Sequence, residues 1–141
     1  MRVHISLNVS SVAESAAFYE ALFGAPASKR RDDYVNFRLD TPAIHLALQQ
    51  GDSQAGQGAS HFGIELPDQD SLAAWRARLD GAGVAFAPED AAQCCYATAD
   101  KLWLTDPDGY RWEVWVRTGE YAEMGATRVT AEASSAACCA A

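Results

Sequence analysis

Apolar and polar positions alternate from the start of the chain. Val3, Ile5, Leu7 and Val9 share one parity and His4, Ser6 and Asn8 the other. A period of two predicts a strand over 3–9 with one greasy and one polar face. Ser11 and Glu14 have the spacing of a capping box, so a helix is expected to run on through Phe18 and Leu22. Gly24 stands where a helix C-terminal glycine belongs. Short strands are predicted near Ala27 to Arg30, at Tyr34–Leu39 and at Ile44–Gln49. The Gly-, Ser- and Gln-rich stretch Gly51 to Ser60 reads as a linker.

The pattern then begins again. From His61 to Leu66, Phe62, Ile64 and Leu66 alternate with His61, Gly63 and Glu65. Asp68 or Asp70 can cap a helix through Leu72, Trp75 and Leu79 that ends at Gly81 or Gly83. A short strand Val84–Phe86, a loop from Ala87 to Ala99 and a strand Lys101–Thr105 are expected next. The turn Asp106-Pro107-Asp108-Gly109 and a strand Tyr110–Val116 complete the order β-α-β-β-β for a second time. The expectation is therefore an α+β fold, two paired βαβββ modules forming a curved mixed sheet with a metal-binding cleft on its polar face. Module one covers 1–50, the linker 51–60 and module two 61–117. Residues 118–141 are rich in Ala and Ser, lack apolar periodicity and are expected to form a flexible tail.

Charge and composition narrow the function. The net charge of −8 and the single basic cluster, Lys29-Arg30-Arg31, answered at once by Asp32-Asp33, argue against nucleic acid as a partner. No apolar run is long enough for a membrane span and no signal-peptide core is seen, so a cytoplasmic protein is expected. The cysteines form two adjacent pairs, Cys94-Cys95 and Cys138-Cys139. Adjacent cysteines close a strained ring, which disfavours a structural disulfide. Two neighbouring thiolates can instead clamp one soft atom.

Four strand positions aim at one point. His4 and His61 occupy matching places in the first strand of each module, and His45 and Glu113 in the last. Each lies on the polar parity of its strand. Two imidazoles and a carboxylate there suit a divalent metal with open positions, Fe(II) above all, although Mn, Co, Ni or Zn fit the same donors. His45 is a fourth ligand, a hydrogen-bond partner of a ligand, or a pocket wall. Trp103 is either a pocket wall or core, and Trp75 core.

The paired modules and the run Asp106-Pro107-Asp108-Gly109-x-x-Trp112-Glu113 resemble the vicinal oxygen chelate superfamily, which includes glyoxalase I, fosfomycin-resistance proteins and extradiol dioxygenases. Cys94-Cys95-Tyr96-Ala97 with Asp100-Lys101-x-Trp103, and Phe18-Tyr19-x-x-Leu22-Phe23-Gly24, are similar to the ArsI-type C–As bond lyases, whose relatives include a cadmium-induced protein. That resemblance implies O2-dependent cleavage of the carbon–arsenic bond of trivalent organoarsenicals with non-haem Fe(II). It implies His4, His61 and Glu113 as iron ligands and Cys94 and Cys95 as the arsenic-binding thiols. Tyr96 and Lys101 belong to the same motif, and Lys101 is expected to favour the thiolate form by its charge. The loop Ala87 to Ala99 would act as a lid. Cys138-Cys139 would pass arsenic inward or scavenge it. A homodimer is common on this scaffold. Two other readings stand beside this one: a thiol-based As(III) or Cd(II) binding protein without turnover, and another metal-dependent enzyme of the glyoxalase or dioxygenase type.

Overall fold

The computed structural model describes residues 1–94 and 97–120, Cys94 through its backbone. Its elements are β1 (Val3–Val9), α1 (Val12–Phe23), β2 (Lys29–Arg30), β3 (Tyr34–Leu39), β4 (Ile44–Gln50), β5 (Phe62–Leu66), α2 (Gln69–Gly81), β6 (Ala87–Cys94), β7 (Ala97–Thr105) and β8 (Arg111–Glu120). The duplication is present. One four-stranded sheet has the order β1-β4-β3-β2 and the other β5-β8-β7-β6. In each, the first strand of the module pairs in parallel with the last. A parallel pair needs a long connection, which the helix and two intervening strands supply. No helix among the described residues is long and apolar enough to cross a membrane.

The chain divides into two compact units. The first comprises Met1–Ala59 with Thr105–Tyr110. Its core is the apolar parity of the strands: Val9, Val35, Phe37, Leu46 and Leu48 are fully buried, as are Ala16, Tyr19 and Leu22 of α1. The Ser11 hydroxyl accepts the Glu14 amide and caps α1, and Gly24 ends it with φ 65°. Both ends of this helix were therefore legible in the sequence. The Asp106–Gly109 turn is fastened to this unit by side chains. Asp106 Oδ1 accepts the amides of Asp108 at 2.9 Å and Tyr110 at 2.8 Å, and its Oδ2 accepts from Tyr19 Oη at 2.7 Å. Asp108 accepts from the Ser10 amide and the Ser15 hydroxyl. Burial pushes the Asp106 carboxyl above its usual range, against the bond from Tyr19 and those from the Tyr110 and Asp108 amides. Tyr19→Phe removes one of those donors from a buried carboxylate. It is expected to lower stability by about 1–3 kcal/mol, read from the urea midpoint.

The second unit comprises Ser60–Leu104 and, among the described residues, Arg111–Glu120. Asp68, not Asp70, caps α2, accepting the Ser71 amide at 2.8 Å. Leu72 and Leu79 are its buried positions, and Trp75, half-buried, lies under the Arg78 guanidinium at 4.2 Å. Three expectations need correction here. Residues 84–86 are not a strand, and most of the predicted lid is regular sheet, β6 and β7 paired antiparallel from Ala87↔Trp103 to Cys94↔Ala97. The Ala-rich, polar β6 sequence carries little strand signal of its own. Its partner supplies the reason to be extended: Trp103 Nε1 donates to Glu89 Oε2 at 2.8 Å, and Asp100 Oδ1 accepts the Ala91 amide at 2.7 Å. Ala91 takes φ 52° where the register shifts between Glu89 and Ala92, which marks a β-bulge. β8 runs to Glu120, so residues 118–120, read as the start of the tail, are strand. Cys95, Tyr96 and Cys138-Cys139 lie outside the described residues.

Candidate metal and substrate site

In the first unit the parallel register sets His4 directly beside His45. Their rings stack with centroids 4.4 Å apart and planes 11° from parallel. Burial, then the neighbouring His4, Arg38 and Arg2, lower the His45 pKa and favour the neutral imidazole that ligation requires. Asn36 stands on the same face of β3. Its Nδ2 is 3.1 Å from Tyr34 Oη and 3.5 Å from His45 Nε2, and its Oδ1 is buried with no hydrogen-bond partner among the described residues. Sequence reasoning passed over Asn36, although its parity with Tyr34 and Arg38 already put it on the polar face.

In the second unit the structure brings His61 and Glu113 together. His61 Nε2 is 3.6 Å from Glu113 Oε1. His61 precedes β5 rather than opening it, and its Nδ1 is 3.0 Å from Ser60 Oγ. The modules are not in the same register at this point. His4 is the strand partner of His45, whereas the partner of Glu113 is Gly63, two residues beyond His61. A two-residue offset keeps the face and changes the neighbour. Glycine makes that neighbour possible: a Cβ at Gly63 would stand 3.1 Å from both Cγ and Oε1 of Glu113. The missing side chain leaves a cradle in which the carboxylate lies.

Lys101 belongs to this pair. Its Nζ donates to Glu113 Oε2 at 2.9 Å, and the two side chains are only 6% and 10% exposed. The expected role of Lys101 beside the thiols thus has a counterpart in the structure on the carboxylate. Trp103, 4% exposed, closes one side, meeting His61 edge-to-face at 5.3 Å between centroids. Burial pushes the Glu113 pKa up, but the neighbouring His61 imidazole and the bonded Lys101 ammonium outweigh it and leave the pKa below the usual range. A carboxyl lowered in this way contributes stability above the ordinary glutamate range and loses it as pH falls through the lowered value.

The sequence profile of the Glyoxalase/Bleomycin resistance protein/Dioxygenase superfamily matches residues 2–114. The chain belongs to this superfamily. Within it, the chain is 39% identical over 111 residues to a Bacillus subtilis (strain 168) protein named "Probable trivalent organoarsenical cleaving enzyme", with 79% of this chain and 76% of that protein covered. It is 35% identical over 138 residues to the "Trivalent organoarsenical cleaving enzyme" of Thermomonospora curvata, covering 98% of this chain and 87% of that one. The fold is shared with a glyoxalase/bleomycin resistance protein/dioxygenase from Alicyclobacillus acidocaldarius, TM-score 0.67 at 17% identity, covering 83% of this chain and 91% of that one.

The glyoxalase-superfamily scaffold places one imidazole–imidazole pair in the first unit and one imidazole–carboxylate pair in the second. Within each unit, among the described residues, no group of three or more His, Cys, Asp or Glu converges. The donors fit a divalent metal all the same. Imidazole nitrogen and carboxylate oxygen are borderline and hard ligands suited to Fe, Mn, Co and Zn, and the cradle at Gly63 spares Oε1 the contact a side chain would impose. Gly63→Ala would crowd that oxygen against the hold of Lys101. It is expected to weaken Co(II) binding about tenfold or more by calorimetric titration, with the far-UV circular dichroism of the protein unchanged.

Proposed function

We propose that this protein cleaves the carbon–arsenic bond of trivalent organoarsenicals in a reaction dependent on Fe(II) and O2. The reading is supported most by the match, over nearly the whole chain, to a protein named as a trivalent organoarsenical cleaving enzyme. The residues supply the parts that such a reaction needs. Cys94 and Cys95 hold the arsenic as a dithiolate, since trivalent arsenic is soft and thiolate sulfur is the ligand it prefers. His61 and Glu113 hold the metal. When bound, Fe(II) supplies the redox chemistry that activates O2.

The chemistry closes without a further reductant. Methylarsenite, CH3As(OH)2, and one O2 give formaldehyde and arsenous acid, As(OH)3. The carbon is oxidised, the C–As bond breaks, and arsenic leaves as the trivalent hydroxide. The protein's contribution is to fix two reactants in one place, which makes the step effectively unimolecular. Strand β7 joins the two halves of the site: Ala97 pairs with Cys94 and Lys101 binds Glu113. Four residues of strand, about 13 Å, separate the β7 partner of Cys94 from the β7 partner of Glu113. Trp103 packs edge-to-face against His61 on that side of the site.

Protein loaded with Fe(II) is expected to convert methylarsenite to inorganic arsenite over many turnovers in air and none under argon. Stoichiometric uptake of the arsenical without product, in air, would replace this reading with that of a thiol-based binding protein.

A further inference from the structure

We propose that Lys101 is the positioning residue of Glu113: by holding Oε2 it makes the carboxylate a one-oxygen ligand that presents Oε1 alone, beside His61 and over the gap at Gly63. The inference rests on the reading of His61 and Glu113 as metal ligands.

Burial is the first support. Lys101 is 5% exposed, so its 2.9 Å bond to Oε2 meets little competition from water. An ammonium taken out of water stays charged only where a partner such as this carboxylate replaces its hydration. Its position is fixed from the sides as well, with Nζ 5.4 Å from the centre of the Trp103 ring and 6.0 Å from that of Trp115.

The second support is the asymmetry of the carboxylate. Oε2 has a strong charge-assisted bond. Oε1 lies 3.6 Å from His61 Nε2, longer than an ordinary hydrogen bond. It also lies over the one β5 position without a side chain. One oxygen is therefore committed, and the other faces an imidazole without being tied to it. A carboxylate that rotated freely could chelate a divalent cation with both oxygens and fill two of its positions. With Oε2 held by Lys101, it fills one and leaves the other for exchangeable ligands. Lys101 touches neither substrate nor metal in this role.

The test uses the full chain and Co(II) alone, whose visible absorption reports the ligand number. Wild-type protein is expected to give a defined Co(II) spectrum. Lys101→Met, isosteric along most of its length, is expected to keep its circular dichroism, to shift that spectrum and to bind Co(II) about 10–100-fold more weakly. A folded Lys101→Met with the wild-type spectrum and affinity overturns this proposal alone. Wild-type protein that binds no Co(II) overturns the metal-ligand reading beneath it.

Should Lys101→Met not fold, the wild-type protein decides by nitrogen NMR of its lysine ammonium groups. The chain has two lysines, Lys29 and Lys101, so Lys29→Arg assigns the signals. The slowly exchanging Lys101 ammonium is expected to persist, shifted, when Zn(II) alone is bound. Its loss on Zn(II) binding would show that Oε2 has been surrendered to the metal and would overturn the proposal.

Discussion

Cys95→Ser is expected to abolish the release of inorganic arsenite from methylarsenite while leaving Co(II) binding intact. On the proposed reading the two adjacent thiolates hold one arsenic atom as a chelate, the second sulfur binding at the high effective concentration set by the first. Removing one converts the chelate into a single exchangeable bond, a loss of about 10²–10⁴-fold in affinity. The serine hydroxyl does not restore it, being a harder ligand with no accessible anion at neutral pH. The proposed metal ligands His61 and Glu113 lie before β5 and on β8, away from the Cys94 end of β6, so the two functions should separate. Titration with phenylarsine oxide should show the lost capture, and the Co(II) spectrum the unchanged metal site. Undiminished arsenite release by Cys95→Ser would remove the thiol pair from the reaction.

Glu113→Ala should give the opposite pattern and a large fall in stability. Arsenical capture by the thiols should remain, and Co(II) binding and arsenite release should be lost. The stability effect has a separate origin. Lys101 has its Nζ on Glu113 Oε2 and a side chain only 6% exposed, so truncation takes the carboxylate away from a buried ammonium. Breaking a buried pair from one side costs roughly 3–5 kcal/mol, whereas a surface pair is worth under about 1 kcal/mol. Glu113→Gln, which keeps an oxygen for Lys101, should lose metal binding with a smaller loss of stability. Because the Glu113 pKa is lowered by His61 and Lys101 against its burial, the gap between wild type and Glu113→Gln should be widest at neutral pH and should narrow on acidification. Urea denaturation at several pH values reads both effects. An unchanged midpoint in Glu113→Ala would mean that Lys101 draws its stability from its other neighbours.

Elements with a local code were legible before the fold was known. β1, β3 and α1 announce themselves through alternation, through Ser11 and through Gly24, and β3 falls at Tyr34–Leu39 as expected. β6 did not. Its sequence, APEDAAQC, has neither alternation nor strong strand formers and reads as loop. It is extended because β7 lies beside it and Glu89 and Asp100 bind across the pair. Propensity gave way to pairing.

The amino-acid order by itself determined the duplication, both ends of α1, and the polar parity that His4, His45 and Glu113 share, because each is written within a few neighbouring residues. Tertiary structure decided who meets whom. A carboxylate on β8 lies opposite a glycine of β5 and takes the ammonium of a lysine on β7, and none of those partners is near it in the chain. Strand register fixes such meetings, and a shift of two residues preserves every face while exchanging every neighbour.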